Sequence, residues 1–372
     1  MPDMYYIDTM GCQMNERDSE TMAGVMQELG LAPATSADEA RVALLNTCAV
    51  REKPEHKVFS KLGELARLKQ QRPNMVIGVC GCMAQIGVDE IRKRAPYVDV
   101  IIGPRNIGSL REAVRSALES PVVTVATDLE SVPDDMQPAA RTPGLSAFVN
   151  ITYGCNNFCA YCIVPYTRGR EISRPPEEII TEVEGLVADG YREVTLLGQN
   201  VNSYKGGNGE AGTGNGGEFA ALLRRAGEVE GLWRLRFTTS HPKDLSEAVL
   251  RAMAETPAAC EHLHLPILAG SDHVHKRLGR GYTYKQYKRL VDLAREIVPG
   301  LAISTDVMVG FPGETAAQFE QTMRAFHEIR FDQAFMFKYS DRPGTRSEKM
   351  PDKVSDNDKQ ERLLRLVALQ NQ

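Results

Sequence analysis

Short continuous apolar runs alternate with amphipathic stretches through the first third of the chain. MYYI leads to the helix-like DSETMAGVMQELG, which stops at Gly30, and then to RVALLNTC. A longer helical pattern, PEHKVFSKLGELARLKQ, precedes NMVIGVCGC, and DEIRKRAP is followed by VDVIIG and SLREAVRSALE. Continuous apolar runs separated by helices of this length predict an α/β domain with an open parallel sheet over residues 1–127. Residues 128–146, DLESVPDDMQPAARTPGLS, are rich in proline and acid and carry no period, which predicts a linker.

A second series begins after it. AFVNITYG, the helix PPEEIITEVEGLVADG, the strand EVTLLGQ, a glycine-rich excursion KGGNGEAGTGNGG and the helix EFAALLRRAGEV come first. LWRLRFTTS, LSEAVLRAMAE, HLHLPI, TYKQYKRLVDLAREIV, AISTDVMVGFPG, AAQFEQTMRAFHEI and QAFMFKYS continue the alternation. About six βα steps in succession predict a partial (β/α)6 barrel of parallel strands over residues 147–345, with its chemistry at the carboxyl-terminal rim. Residues 346–372 read as a charged connector running into a helix, DNDKQERLLRLVALQ.

Composition agrees with two folded domains: 372 residues, 42% hydrophobic and 25% charged, supply material for two sizeable cores. The first residues lack a basic flank before an apolar run, and no stretch approaches the roughly 18–20 apolar residues that span a bilayer, so the expectation is a cytoplasmic protein without a membrane partner. In that compartment thiols stay reduced, which makes the eight cysteines metal ligands or reactive thiols rather than disulfides. The net charge of -5 does not advertise nucleic-acid binding, though local basic patches can still supply phosphate contacts.

The stretch GCNNFCAYC places Cys155, Cys159 and Cys162 just after the first strand of the second series. A structural zinc would need a fourth ligand, and the closest downstream histidine is His241. Three closely spaced thiolates suit a 4Fe-4S cluster with one iron left for a non-protein ligand. Upstream, Cys12, Cys48 and Cys82 each follow an apolar run, at the carboxyl ends of predicted strands. Any one of them alone would be an ordinary small core residue. Three at equivalent positions, separated by 36 and 34 residues, allow three strand-end loops to converge above the sheet on a second cluster. Cys80 and Cys260 read as structural thiols.

The C-x3-C-x2-C spacing resembles that of the radical S-adenosylmethionine (SAM) enzymes. The order GCQMNERDS, NTCAVREKPEHKV, VCGCMAQ, GCNNFCAYCIVPYTRGRE, LLGQNVNSY, TSHPKD, DVMVGFPGET and FMFKYSDRPGT is similar to the tRNA methylthiotransferases among them, over nearly the whole chain. Within that family GCQMN, NTCAVREK and YTRGRE favour the branch that converts isopentenyladenosine beside the anticodon to its 2-methylthio derivative. The branches acting on threonylcarbamoyladenosine tRNA or on a ribosomal-protein aspartate word these motifs differently and remain the alternatives, with a non-catalytic iron-sulfur RNA-binding protein as the reading from another class.

The resemblance implies two 4Fe-4S clusters, held by Cys12, Cys48 and Cys82 and by Cys155, Cys159 and Cys162. It also implies two SAM molecules, one as methyl donor and one as radical source, with sulfur drawn from the auxiliary cluster. An electron donor such as flavodoxin or ferredoxin, a tRNA substrate and a monomeric enzyme complete the expectation. No catalytic side chain beyond the cluster ligands is implied.

Further candidates are Gln199 and Asn200 at a strand end, His241 in TSHP, and Gly310, Pro312 and Gly313 in GFPGET, which could shape a SAM pocket or form a plain strand-to-helix turn. KRLGRGYTYKQYKR, residues 276–289, interleaves six basic residues with three tyrosines, a composition suited to phosphate contacts and base stacking or to a solvated helix face. Two departures from the family stand out. HLPILAGSD carries Leu268 and Ala269 where relatives read Gln and Ser, and the carboxyl-terminal RNA-binding β-barrel that ordinarily follows is expected to be absent from this chain.

Overall fold

In the computed structural model, which describes residues 3–49, 52–120, 122–131, 133, 139–206 and 216–372, the apolar runs become strands where the alternation placed them. Strands β1 (Met4–Thr9), β2 (Ala32–Pro33), β3 (Val42–Thr47), β4 (Val76–Gly81), β5 (Val100–Ile102) and β6 (Thr124–Ala126) form one parallel sheet in the order β2-β1-β3-β4-β5-β6. Every residue of β3 and β4 is buried, because both faces are covered. Val42, Leu44, Val76 and Cys80 point into a core with Met22, Val25 and Met26 of helix Gln13–Glu28. Their neighbours Ala43, Leu45, Ile77 and Val79 point the other way, into a core with Val58, Leu62 and Leu65 of helix Glu52–Gln71. That alternation is the period of two expected of a strand, and each fully buried Leu, Val or Ile contributes about 1.5–3 kcal/mol. The chain runs outward from β1 to β2 and then back past β1 to β3, so the strand order reverses between β1 and β3. Ligand crevices of open parallel sheets lie at the carboxyl side of such a reversal.

The second series forms β7 (Ser146–Asn150), a short antiparallel pair β8 (Thr152–Tyr153) and β9 (Ile172–Ser173), and then β10 (Glu193–Leu197), β11 (Arg234–Thr238), β12 (His262–His264), β13 (Ala302–Val309) and β14 (Gln333–Lys338). β7, β10 and β11 pair in parallel, as do β12, β13 and β14. A parallel bridge at Leu235 and Ala259 joins the two sets, with the Leu235 N–H donating to Ala258 at 2.7 Å and the Cys260 N–H to Leu235 at 3.0 Å. Six parallel strands in chain order, with no pairing between β7 and β14 among the described residues, make the expected partial barrel. Val149, Val194, Leu263, Ile303 and Val307 pack in one core with Ile179, Val183, Phe219 and Leu250 of the surrounding helices. Helices Tyr284–Ile297 and Ala316–Ile329 each open with a reciprocal capping box, Thr283 with Gln286 and Thr315 with Gln318, and a cap of this kind is worth about 1 kcal/mol. No helix among the described residues is long and apolar enough to cross a membrane.

The chain divides into two compact units after residue 142, within the segment 128–146 expected as a linker, with residues 163–170 returning to the first unit. One comprises residues 1–142 with 163–170, and the other 143–162 with 171–372. The described part of 128–142 belongs to the first unit because its polar backbone finds partners there. Arg105 Nη1 donates to the Leu129 carbonyl at 2.8 Å, and the Ala140 N–H to the Glu20 carbonyl at 2.9 Å. The terminal helix Asp356–Gln370 belongs to the second unit, where Leu366 is fully buried in the barrel's core.

Candidate functional site

In the first unit, Cys12, Cys48 and Cys82 stand at the carboxyl ends of β1, β3 and β4, which are adjacent in the sheet, so three distant sequence positions become neighbours at the strand-order reversal. Two glycines permit the close approach. Gly11 has φ +143°, and a Cβ there would lie 3.0 Å from the Cys48 Cβ. At Gly81, with φ +87°, a Cβ would come within 2.4 Å of the Thr47 carbonyl oxygen, and Cys82 follows at once. Cys48 and Cys82 are buried while Cys12 is exposed.

Asn15, wholly buried, fastens the loop around Cys12. Its Nδ2 donates to Asn46 Oδ1 and to the Thr47 carbonyl, both at 3.0 Å, and the Cys12 thiol donates to its Oδ1 at 3.5 Å. Residues 163–170, which directly follow Cys162 in sequence, form a strap in this unit. Ile163 packs on Ala49 and Cys82. Arg105 donates to the carbonyls of Arg168 and Arg170, and the Arg168 guanidinium, 3% exposed, donates to Asp18 at 2.7 Å and to Asn15 at 3.4 Å. Burial pushes the Cys82 thiol up, and the charge of Arg168 with a hydrogen bond from Thr167 pulls it back. Cys80, within β4 and buried in the core with Met22, is pushed up to about 12 by burial, with a further push from Asp18.

In the second unit, the loop after β8 carries Cys155 and Cys159, both buried, and the half-buried Cys162. Its backbone is clamped by the segments around residues 278 and 346. The Ala160 N–H donates to Leu278 at 2.8 Å, the Ser347 N–H to Ala160 at 2.9 Å, and Arg346 Nη2 to Phe158 at 2.7 Å. Two donors aim at the sulfurs: the Asn157 N–H lies 3.4 Å from Cys155 Sγ, and Arg280 Nη1 lies 3.7 Å from Cys159 Sγ. Burial pushes the Cys155 thiol up to about 11, against the pull of that N–H.

Arg280, one of the six basic residues of 276–289, faces neither solvent nor an RNA surface. It is 5% exposed and bonded to Tyr282 and the Pro266 carbonyl. Tyr282 and Tyr287 are buried and donate to the carbonyls of Pro266 and Leu265, while the Tyr284 hydroxyl donates to Glu328. Tyr282 and Tyr287 are therefore turned inward, and Tyr284 is half-buried.

Gln199 is half-buried just past β10, beside the buried Asn200, whose Nδ2 donates to Asp244 at 2.7 Å and whose Oδ1 accepts the His241 N–H at 3.1 Å. The His241 ring is buried. Its Nδ1 accepts the Lys243 N–H, which leaves Nε2 as the proton-bearing nitrogen, without a partner among the described residues. Desolvation, with Arg280 and Lys243, holds its pKa down to about 2, so the imidazole is neutral. The GFPGET loop is committed elsewhere. Glu314 accepts the Gly310 N–H at 2.7 Å and pairs with Arg362 of the terminal helix at 2.7 Å, the Gly313 N–H donates to Asp352, and Pro312 is buried. Leu268, where a Gln was expected, is buried with Ala160 and Phe311, so an apolar contact under the cysteine loop replaces a polar one.

No group of three or more His, Cys, Asp or Glu among the described residues converges on a single metal ion. Zinc would need all its thiolates about 2.3 Å from one point. A 4Fe-4S cluster attaches each thiolate to a different iron, and the donors set on Cys155 and Cys159 suit anionic sulfur. Sequence reasoning missed Asn15, Asp18, Arg168 and Arg280. For the first three the only signal was position beside a candidate cysteine, Asn15 and Asp18 in GCQMNERDS and Arg168 in YTRGRE, while Arg280 stood in a run read as a phosphate-contacting or solvated surface.

Residues 149–326 match the Radical SAM superfamily, and residues 4–103 match a family described as Uncharacterized protein family UPF0004. The chain is 49% identical to the tRNA-2-methylthio-N(6)-dimethylallyladenosine synthase of Syntrophomonas wolfei, covering 100% of this chain and 82% of the relative. It is 48% identical to the synthase of the same name from Moorella thermoacetica, over 99% and 82%. Among solved structures it is similar in fold to the radical S-adenosylmethionine methyltransferase TsrM of Kitasatospora setae with cobalamin and a [4Fe-4S] cluster bound, with TM-score 0.65 and 14% identity over 94% of this chain and 74% of that one.

Proposed function

The chain belongs to the tRNA-2-methylthio-N(6)-dimethylallyladenosine synthase family, and from that premise we propose which of its residues carry the family's reaction. It is a radical SAM methylthiotransferase that adds a methylthio group to carbon 2 of isopentenyladenosine in tRNA, using SAM and 4Fe-4S clusters. The observation that carries the residue assignment is the pair of three-thiol sites, one on adjacent strand ends of the first unit and one on a single loop of the second.

Cys155, Cys159 and Cys162 hold the cluster that binds SAM, and Cys12, Cys48 and Cys82 hold the auxiliary cluster. Bound there, the clusters and SAM supply the one-electron chemistry and the sulfur that an unactivated aromatic C–H bond requires, beyond any acid or base in the protein. The side chains bind, orient and balance charge. The Asn157 N–H and Arg280 donate to the sulfurs of the second unit, and Asn15 fixes the loop of Cys12. Asn200 holds the His241 backbone, so that a neutral Nε2–H is offered as a donor to an acceptor of SAM or substrate. Gln199 is a second such donor, whereas Gly310, Pro312 and Gly313 act by seating the terminal helix through Glu314 and Arg362.

Residues 1–127 are the methylthiotransferase domain and 147–345 the radical SAM domain in this assignment. The enzyme works as a monomer in the cytoplasm, fed electrons by a carrier such as flavodoxin or ferredoxin, on tRNAs bearing isopentenyladenosine beside the anticodon. Anaerobic reconstitution, incubation with SAM, reductant and tRNA, and mass spectrometry of the nucleosides test it. The 2-methylthio nucleoside is expected; 5′-deoxyadenosine without modified tRNA would point to a protein substrate instead.

A further inference from the structure

Arg168 reaches the first unit's thiol site on the strap that begins one residue after Cys162. Three features show a built arrangement. The strap is seated at both ends, Ile163 against Ala49 and Cys82, and the carbonyls of Arg168 and Arg170 on Arg105. The guanidinium is almost wholly buried and shares Asn15 with the Cys12 thiol, which contacts the same Oδ1. Its one carboxylate partner among the described residues, Asp18, is itself only 4% exposed. Burying such a pair is costly and is repaid only by close geometry and satisfied hydrogen bonds, so hydrophobic residues of similar volume would hold the strap as well or better. A buried pair at this position therefore points to an electrostatic task.

We propose that Arg168 is a positioning residue that sets the charge at the auxiliary cluster, raising its reduction potential, with Asp18 as the counter-charge that limits the effect. The proposal rests on the assignment of that cluster to Cys12, Cys48 and Cys82. A thiolate-bound cluster gains negative charge with each electron it accepts, and a cation beside the ligands favours the reduced form, more so where the dielectric is low. Outer groups of this kind tune a metal site without touching the metal.

The test is an EPR-monitored redox titration of the full-length, reconstituted chain in a Cys155→Ala, Cys159→Ala, Cys162→Ala background, which leaves only the auxiliary cluster to be seen. Arg168→Gln should lower the reduced-to-oxidised ratio at fixed poise by tenfold or more, which is about 59 mV for one electron. Asp18→Asn should move the potential the other way, and Arg168→Lys should restore most of the wild-type value. If Arg168→Gln proves unable to hold iron, Arg168→Gln with Asp18→Asn removes the stranded carboxylate and is read instead, with a smaller negative shift expected. A purely structural strap would give no opposite-signed pair of shifts; unchanged potentials at full iron content in both single variants overturn the proposal. Adding Cys12→Ala, Cys48→Ala and Cys82→Ala to the same background separates the two failures. Iron that persists in that protein refutes the cluster assignment, whatever Arg168 does.

Discussion

The two thiol sites solve the same chemical problem by opposite routes. One gathers its cysteines from three strand ends that only a parallel sheet makes neighbours; the other writes them into eight residues of one loop. Each is served by a buried arginine, but the charges differ. Arg168 is matched by Asp18, whereas Arg280 bonds among the described residues only to neutral groups and to the sulfur of Cys159. An unmatched cation beside a site suits a ligand that brings its own carboxylate, as SAM does. A matched pair suits a site that must keep its charge nearly balanced. The difference means that, in the proposed assignment, each thiol site's charge surroundings are specified apart from its cysteines.

The sharpest way to break the comparison is to remove one set of ligands. With Cys12, Cys48 and Cys82 changed to Ala, 5′-deoxyadenosine should still form while methylthio-adenosine falls to background, and bound iron should drop from about eight to about four. With Cys155, Cys159 and Cys162 changed instead, 5′-deoxyadenosine should vanish while SAM is still demethylated to S-adenosylhomocysteine. Modified tRNA from the first variant would end the division of labour. Next in size, Arg280→Gln should reduce cluster retention or the 5′-deoxyadenosine rate by roughly 10- to 100-fold, the usual effect of an outer contact, with tRNA binding and its salt dependence unchanged. A flattened salt dependence would return residue 280 to the RNA surface.

A smaller effect separates the units by acid. Desolvation holds His241 down to about 2, and burial also lowers His262 and His275, all three in the second unit. Below about pH 6.5 the unfolded chain takes up protons that these folded imidazoles refuse, so stability is full above that pH. It is lost as pH falls from there toward 2 for His241, at about 1.4 kcal/mol per pH unit for that group, with His262 and His275 acting in the same direction. Hydrogen exchange between pH 7 and 5 should show the second unit loosening first, and His241→Gln should reduce the slope; equal loss in both units would count against it. The smallest effect belongs to Cys80. Its replacement by Ala should cost about 1 kcal/mol through the small void left behind and leave the iron content of both sites intact.

The cysteines were legible in the sequence for different reasons. The loop motif is a local pattern, and the upstream trio followed from apolar runs that end at Thr9, Thr47 and Gly81. The arginines were not, since Arg168 meets Asp18 across 150 positions and leaves no periodic trace. Arg280 lay in a run whose composition matched an RNA surface, although burial of Tyr287 was what the apolar face of the helix Tyr284–Ile297 required. GFPGET read equally as pocket or turn because a glycine-rich bend looks the same whether it faces a ligand or, as here, a helix more than forty residues on.

The strap makes the two units inseparable as units of inheritance. A recombination event near residue 142 would join one parent's Asp18 and Asn15 to the other parent's Arg168, because residues 163–170 lie on the far side of that junction in sequence while packing with the residues before it. Viable exchanges between distant relatives must therefore move the amino-terminal segment and the eight-residue strap together, or keep both.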